Sequence, residues 1–143
     1  MALTTHLTLK LDNVAVTGGV TQKGREGTIA VTSLEWSFDS EGTVGEVKFT
    51  AELDRETTPI SAGLKSGADA DALFDVYQVG ASGTEAKTFT LHGTNGKVTS
   101  VNIWQLNVLD PNLTRYDTTI QYTMAFAHVE QTWLPTGATV TIP

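Results

Sequence analysis

Three histidines are the first residues in this sequence that could act in catalysis or bind a metal ion. His6, His92 and His128 lie far apart, and none has a second histidine four residues away, the spacing that puts two metal ligands on one helix face. Each stands in a segment with strand-like alternation. We interpret all three as surface or rim residues, and we predict no metal site.

Paired carboxylates are the second feature that could carry chemistry, because two of them flanking a sugar can hydrolyse a glycosidic bond. Asp39 with Glu41, and Asp69 with Asp71, are close in sequence, but both pairs lie in polar, turn-like stretches. The sequence contains no nucleophile elbow, no Walker lysine loop and no G-x-G-x-x-G motif. We therefore predict that the protein is not an enzyme and uses no cofactor.

Three tryptophans could form a platform on which a sugar ring stacks. Trp36 lies in register with Leu34 and Phe38, which favours packing in the core or at a subunit interface. Trp104 and Trp133 keep open an alternative from another functional class, a monomeric carbohydrate-binding β-sandwich module.

Composition narrows the possible partners. The chain has 143 residues, a formal net charge of −7 and no cysteine. An acidic chain lacks the clustered Lys and Arg that nucleic acids and anionic membranes require, so neither is an expected partner. No apolar run reaches the roughly 18 residues of a membrane span. The first residues show no basic region followed by an apolar run, so we expect no cleaved signal peptide.

Alternation with a period of two predicts strands along most of the chain. Leu3, Leu7, Leu9 and Leu11 share one face, and a phase slip at Thr32-Ser33 predicts a β-bulge. The predicted strands cover 3–11, 29–38, 47–53, 73–79, 87–91, 98–108 and 115–126. No linker divides them, so residues 1–143 are predicted to form one all-β domain.

Turn and helix signals complete the pattern. Asn95-Gly96 predicts a tight hairpin turn between two strands. One short helix is predicted, with Thr58 as its cap, Pro59 at its first position and Gly67 at its end. The Gly-rich segment 12–27 is predicted to be an extended loop, and loops of that length are usually functional or disordered.

Three ordered blocks of this sequence together carry a family resemblance. The first pairs Leu7–Asp12 with the Trp36-bearing segment 29–37, on either side of the Gly-rich loop. The second runs from Val47 to Gly67 and includes Phe49, Asp54, Pro59 and Gly67, and the third, 124–130, contains Phe126 and Glu130. In this order the blocks resemble the Hcp family, the hemolysin-coregulated proteins of the type VI secretion system, and the third is similar to the family's closing strand.

The resemblance implies a rolled β-barrel of two packed antiparallel sheets with one short α-helix. It also implies hexameric rings that stack into a tube, which a contracting sheath expels with effector proteins. Sheath, spike, baseplate and effector proteins are then the expected partners. The protein would be made in the bacterial cytoplasm and secreted through the machine.

Two segments depart from the family pattern. The segment from Asn13 to Gly24 lacks the usual acidic and His-containing stretch, and residues 131–143 extend past the typical ending. These departures leave open a tube protein of a related contractile injection system. We expect the loop to contact a neighbouring subunit or ring, and the candidate residues are Gly18, Gly19, Gln22, Lys23, Gly24 and Arg25.

Overall fold

Strands make up most of the structure, a computed structural model that describes residues 3–41, 45–105, 109 and 118–142. Within these ranges the chain has eight strands and one helix. In chain order they are β1 (Leu3–Leu11), β2 (Val14–Val16), β3 (Ile29–Glu35), β4 (Val47–Glu52), α1 (Thr57–Ser66), β5 (Asp69–Val79), β6 (Glu85–Trp104), β7 (Thr119–Trp133) and β8 (Ala138–Ile142).

The strands form one antiparallel sheet that closes on itself. Their order is β2-β1-β3-β4-β7-β6-β5, and β1 also pairs with β5 along its whole length, which closes the barrel. The other edge of β1 is shared by β3 and β2. Strand β8 pairs with the end of β7 and covers residues 138–142 of the C-terminal segment. The predicted all-β barrel with one short helix is confirmed.

The core lies inside the barrel, where alternate side chains of each strand meet. Leu7, Leu9 and Leu11 are buried, as their alternation predicts. The Phe49 ring packs against Phe74 and Tyr122, with ring centroids 5.3 and 5.2 Å away. Close packing of this kind makes the core sensitive to any change of side-chain volume.

The predicted bulge in β3 is confirmed, because the pairing of β3 with β4 shifts between Val31 and Ser33. The continuation of the same alternation to Phe38 is wrong. Strand β3 ends at Glu35, and Phe38 is 42% exposed. Alternation predicts an inward face only where a strand continues.

Asn95-Gly96 does not form the predicted hairpin turn, because β6 runs without a break from Glu85 to Trp104. Asn95 has a positive φ of 52° inside a bulge, where three steps along β6 oppose two along β5. Gly96 instead provides space, since a Cβ there would lie 2.3 Å from a ring carbon of Phe126. Gly96 is therefore required for close packing against Phe126, although the Asn-Gly pair has the composition of a turn.

Two predicted strands extend partly outside the described residues. Strand β6 ends at Trp104, and the predicted continuation at 106–108 lies in a part that the structure does not describe. Strand β7 begins at Thr119, and 115–117 likewise lie outside the described residues.

The helix begins two residues earlier than predicted. The N-cap is Glu56 and not Thr58, and its side chain makes no capping hydrogen bond. Pro59 falls in the first turn, where a missing N–H leaves no helical hydrogen bond unmade. Gly67 ends the helix with a left-handed φ of 71°, so the predicted stop is confirmed.

Glu56 is buried at the start of α1, with 2% of its surface exposed and with no hydrogen-bond partner for Oε2. Burial raises the pKa of its carboxyl group, with a smaller contribution from Asp54. The folded state therefore favours the protonated form, and its stabilising contribution is lost as the pH rises through the raised pKa.

We expect Glu56→Gln to stabilise the protein by about 1 kcal/mol at pH 8 and to have little effect at pH 4, because glutamine cannot ionise. Thermal unfolding at both pH values measures this difference. Glu52→Gln is the control, since Glu52 is exposed on β4. An equal effect of Glu56→Gln at both pH values would contradict the assignment.

Candidate assembly surface

The Gly-rich segment 12–27 begins as a tight hairpin. Asp12 and Asn13 have φ values of 50° and 65°, the conformation of a two-residue type I′ turn, and β2 folds back on β1. The prediction of an extended loop is therefore wrong for residues 12–16. Asp and Asn adopt positive φ more readily than other non-glycine residues, so this turn could have been recognised in the sequence.

Residues 17–28, the arm loop, fold back on themselves and on the barrel. Backbone N–H groups of Gly18 and Val20 donate to the carbonyls of Gly27 and Thr28, at 2.8 and 3.3 Å. Gly27 N–H donates in return to the Val20 carbonyl. A Cβ on Gly18 would lie 2.3 Å from the Thr28 carbonyl oxygen, so this position requires glycine.

Gly19 brings the base of the arm loop against the turn that precedes α1. A Cβ on Gly19 would lie 2.0 Å from a carboxylate oxygen of Asp54. The other Asp54 oxygen accepts a hydrogen bond from the Arg55 N–H at 2.7 Å. Two candidate positions from separate parts of the sequence, Gly19 and Asp54, therefore meet in the structure.

Arg25 fixes the far end of the arm loop to its own barrel. Its guanidinium lies 3.5 Å from the centroid of the Tyr77 ring and forms an ion pair with Glu85 at 2.5 Å. Only 11% of the Arg25 side chain is exposed. Cation–π stacking combined with a shielded ion pair is a strong local anchor.

His6 lies beneath the arm loop, so its interpretation as a surface residue is wrong. It is 7% exposed, its Nδ1 is 3.2 Å from Thr28 Oγ1, and its Nε2 is 3.3 Å from Arg25 Nη1. Burial lowers the pKa of His6, and the Arg25 charge lowers it further, while Glu85 and Asp75 oppose the shift. Alternation alone could not reveal that a loop covers this outward-facing residue.

Residues 22–24 form the tip of the arm loop, and Thr17, Thr21 and Glu26 of the loop are exposed as well. Gln22, Lys23 and Gly24 are all exposed, and Gly24 turns the chain with a φ of 86°. Among the described residues, no carboxylate forms a salt bridge with Lys23, whereas Arg25, Lys87 and Lys97 are paired. The tip therefore presents a free cation on an acidic protein.

Two of the remaining family-motif positions, Trp36 and Phe126, pack against the neighbouring strand β6 of the barrel. Trp36 stacks on Phe89, with centroids 5.8 Å apart, and its Nε1–H donates to Gln131. Phe126 is buried against Gly96, whereas Glu130 is exposed on β7.

An open, mainly apolar groove of about 480 Å³ lies beside Trp36. Trp133, 42% exposed, lines the same groove together with Leu34 and Phe89. Trp104 is at the end of β6 and does not line it. One face of Trp36 is already covered by Phe89, which leaves Trp133 as the more accessible ring.

The carboxylate pairs are engaged in local contacts. Asp39 accepts a hydrogen bond from the Glu41 N–H at 3.0 Å, Asp69 binds Lys97 at 2.6 Å, and Asp71 binds His92 at 2.8 Å. His128 is exposed on β7. Within the described part of the chain, no three His, Cys, Asp or Glu side chains are placed to hold a metal ion.

Comparison with solved structures shows the same fold over nearly the whole chain. A variant of Hcp1 from E. coli EAEC 042 has a TM-score of 0.82 at 21% identity, covering 98% of this chain and 97% of that one. The secreted protein Hcp3 of Pseudomonas aeruginosa has a TM-score of 0.84 at 14% identity, with coverage of 98% and 97%. Hcp1 of Salmonella typhimurium has a TM-score of 0.78 at 18% identity, with coverage of 96% and 93%.

Two sequence comparisons and one structural observation complete the picture. None of the curated proteins searched matches the chain. Among the described residues, no helix is long and apolar enough to cross a membrane. The family model described as "Type VI secretion system effector, Hcp" matches residues 8–133. The chain belongs to the Hcp family of the type VI secretion system.

Proposed function

We propose that this protein is a structural subunit of the type VI secretion tube and not an enzyme. The observation that carries the proposal is the family match over residues 8–133, together with a fold shared with several Hcp structures along nearly the entire chain. In this proposal six subunits form a ring, rings stack into a tube, and sheath contraction expels the tube with its effectors. Sheath, spike and baseplate proteins are its partners.

Secretion of the proposed subunit follows assembly in the bacterial cytoplasm. The subunit joins the tube there and leaves through the machine without a cleaved signal peptide. A tube protein of a related contractile injection system remains the nearest alternative, because it would use the same ring and tube architecture. Secretion that depends on the type VI sheath would distinguish the two.

Light scattering coupled to size exclusion, with negative-stain imaging, tests the ring. We expect particles with the mass of six subunits and a central opening, which stack at high concentration. A monomer across the whole concentration range would overturn the proposal. Head-to-tail contacts between different surfaces generate such a closed ring.

The arm loop is the proposed stacking contact, and Lys23 is its most specific feature. Each subunit has a net charge of −7, so a free cation at an exposed tip complements the surface of another copy. The loop base, Gly18 and Gly19, and the anchor Arg25 hold the tip in position. The proposal thus assigns different roles to the candidate loop residues.

We expect Lys23→Glu to reduce the fraction of rings found in stacks by about tenfold or more, because like charges then oppose each other at every contact. Quantitative negative-stain imaging measures the fraction. Lys65→Glu, an exposed change of equal charge on α1, is the matched control. Intact stacking by Lys23→Glu would refute the role of the tip without affecting the ring.

The groove beside Trp133 supports a second candidate function, carbohydrate binding by a monomer. Aromatic side chains in an open groove are suited to stacking on a sugar ring. Quenching of tryptophan fluorescence by a glycan, lost in Trp133→Ala, would support it. No quenching across a broad glycan panel would remove it.

A further inference from the structure

The hydrogen-bond pattern beneath the arm loop requires one particular form of His6. Arg25 is always a donor, so its contact with His6 requires an unprotonated Nε2. Thr28 Oγ1 donates to the Arg25 carbonyl at 2.7 Å, so it accepts from His6, whose Nδ1 therefore carries the proton. The three residues form a closed ring of hydrogen bonds that only neutral His6 completes.

Protonation of His6 would break this cycle of hydrogen bonds at the contact between His6 and Arg25. A proton on Nε2 would place two cationic donors, His6 and Arg25, 3.3 Å apart in a buried site. Arg25 would then lose one of its acceptors, and one of the contacts that fix the loop would become repulsive. The Arg25–Glu85 ion pair and the cation–π contact with Tyr77 would then hold the loop against this repulsion.

We infer that His6 is a pH-sensitive clasp that docks the arm loop on the barrel when neutral and releases it when protonated. The inference concerns a single subunit and goes beyond the proposed tube function, since it does not require six subunits to assemble. Release would remove the support of the barrel from residues 17–28, so the loop's internal backbone hydrogen bonds would open more readily.

Several charged groups among the described residues influence the protonation of His6. Arg25 from the arm loop opposes protonation, while Glu85 on β6 and Asp75 on β5 favour it. Lys87 on β6 offsets Asp75, with its Nζ 3.6 Å from the carboxylate, and Tyr77 packs edge-on against the His6 ring. Burial is the largest influence and lowers the pKa of His6 below 6.5, so docking is strongest above pH 6.5 and weakens as the pH falls.

Hydrogen exchange of the arm-loop amides tests the inference. After correction for intrinsic rates, we expect protection of the Gly18, Val20 and Gly27 amides to fall by about threefold or more between pH 7.5 and 5. In His6→Gln the amide side chain can accept and donate without titrating, so protection should not change with pH. His92→Gln, which removes a histidine outside the clasp, should behave as the wild type does.

A spectroscopic measurement on the wild-type protein covers the case in which His6→Gln does not fold. Long-range nitrogen–proton NMR should show His6 with its proton on Nδ1 at pH 7.5. A proton on Nε2 instead, or pH-independent loop protection in the wild type, would overturn the inference. Either result would leave the ring test unaffected, because imaging reads assembly and not the state of His6.

Discussion

Gly96→Ala is expected to destabilise the protein by about 2–3 kcal/mol, because a single methyl group there has no room. Its Cβ would lie 2.3 Å from a ring carbon of Phe126 and 2.9 Å from the Ala125 carbonyl oxygen. The Phe126 ring of β7 is buried over Gly93 and Gly96 of the paired strand β6, and it cannot swing away without leaving a cavity. Chemical denaturation of the purified variant measures the change.

Gly80→Ala is the matched control for this prediction. The nearest atom to a Cβ at Gly80 is the Thr84 carbonyl oxygen at 3.9 Å, so the same substitution meets open space. We expect a change within about 0.5 kcal/mol. Combining Gly96→Ala with Phe126→Leu should recover part of the loss, and strict additivity of the two changes would contradict a direct clash.

Gly96 also illustrates which structural features the sequence predicts correctly and which it does not. Alternation correctly predicts the buried faces of β1, β4 and β7, because a half-buried strand must place apolar residues on one side. Asn95-Gly96 has the composition of a hairpin turn, yet it forms a bulge within one long strand. The residue types show which φ values the backbone can adopt. Whether those φ values form a hairpin turn or a bulge depends on the strands that pair with the segment.

The candidate assembly surface was likewise only partly predictable from the sequence. The Gly-rich composition of 12–27 correctly marks an unusual segment, but not the Asp12-Asn13 hairpin that shortens the loop. The contacts of Arg25 with Tyr77 and Glu85 join residues more than 50 positions apart. Such contacts depend on the closure of the barrel through β1 and β5, and no local pattern contains that information.

Phe49→Ala is expected to be the most damaging single change, at about 3–5 kcal/mol, because it empties the centre of the core. Phe49 is 1% exposed and contacts the rings of Phe74 and Tyr122. A domain of this size has roughly 7–20 kcal/mol of total stability, so the variant retains only part of it. Urea unfolding, with the same dependence of free energy on urea concentration for both proteins, would measure the loss of stability.

Phe38→Ala provides a control with the same change of side chain. Sequence alternation predicts an inward Phe38, but the structure places it beyond the end of β3 with 42% of its surface exposed. We therefore expect a loss of about 1 kcal/mol or less for Phe38→Ala. The two substitutions remove identical atoms, so a difference of several kcal/mol between their losses of stability follows from burial alone. Equal losses of stability would mean that Phe38 points inward, as the alternation predicts, and that its exposed placement is wrong.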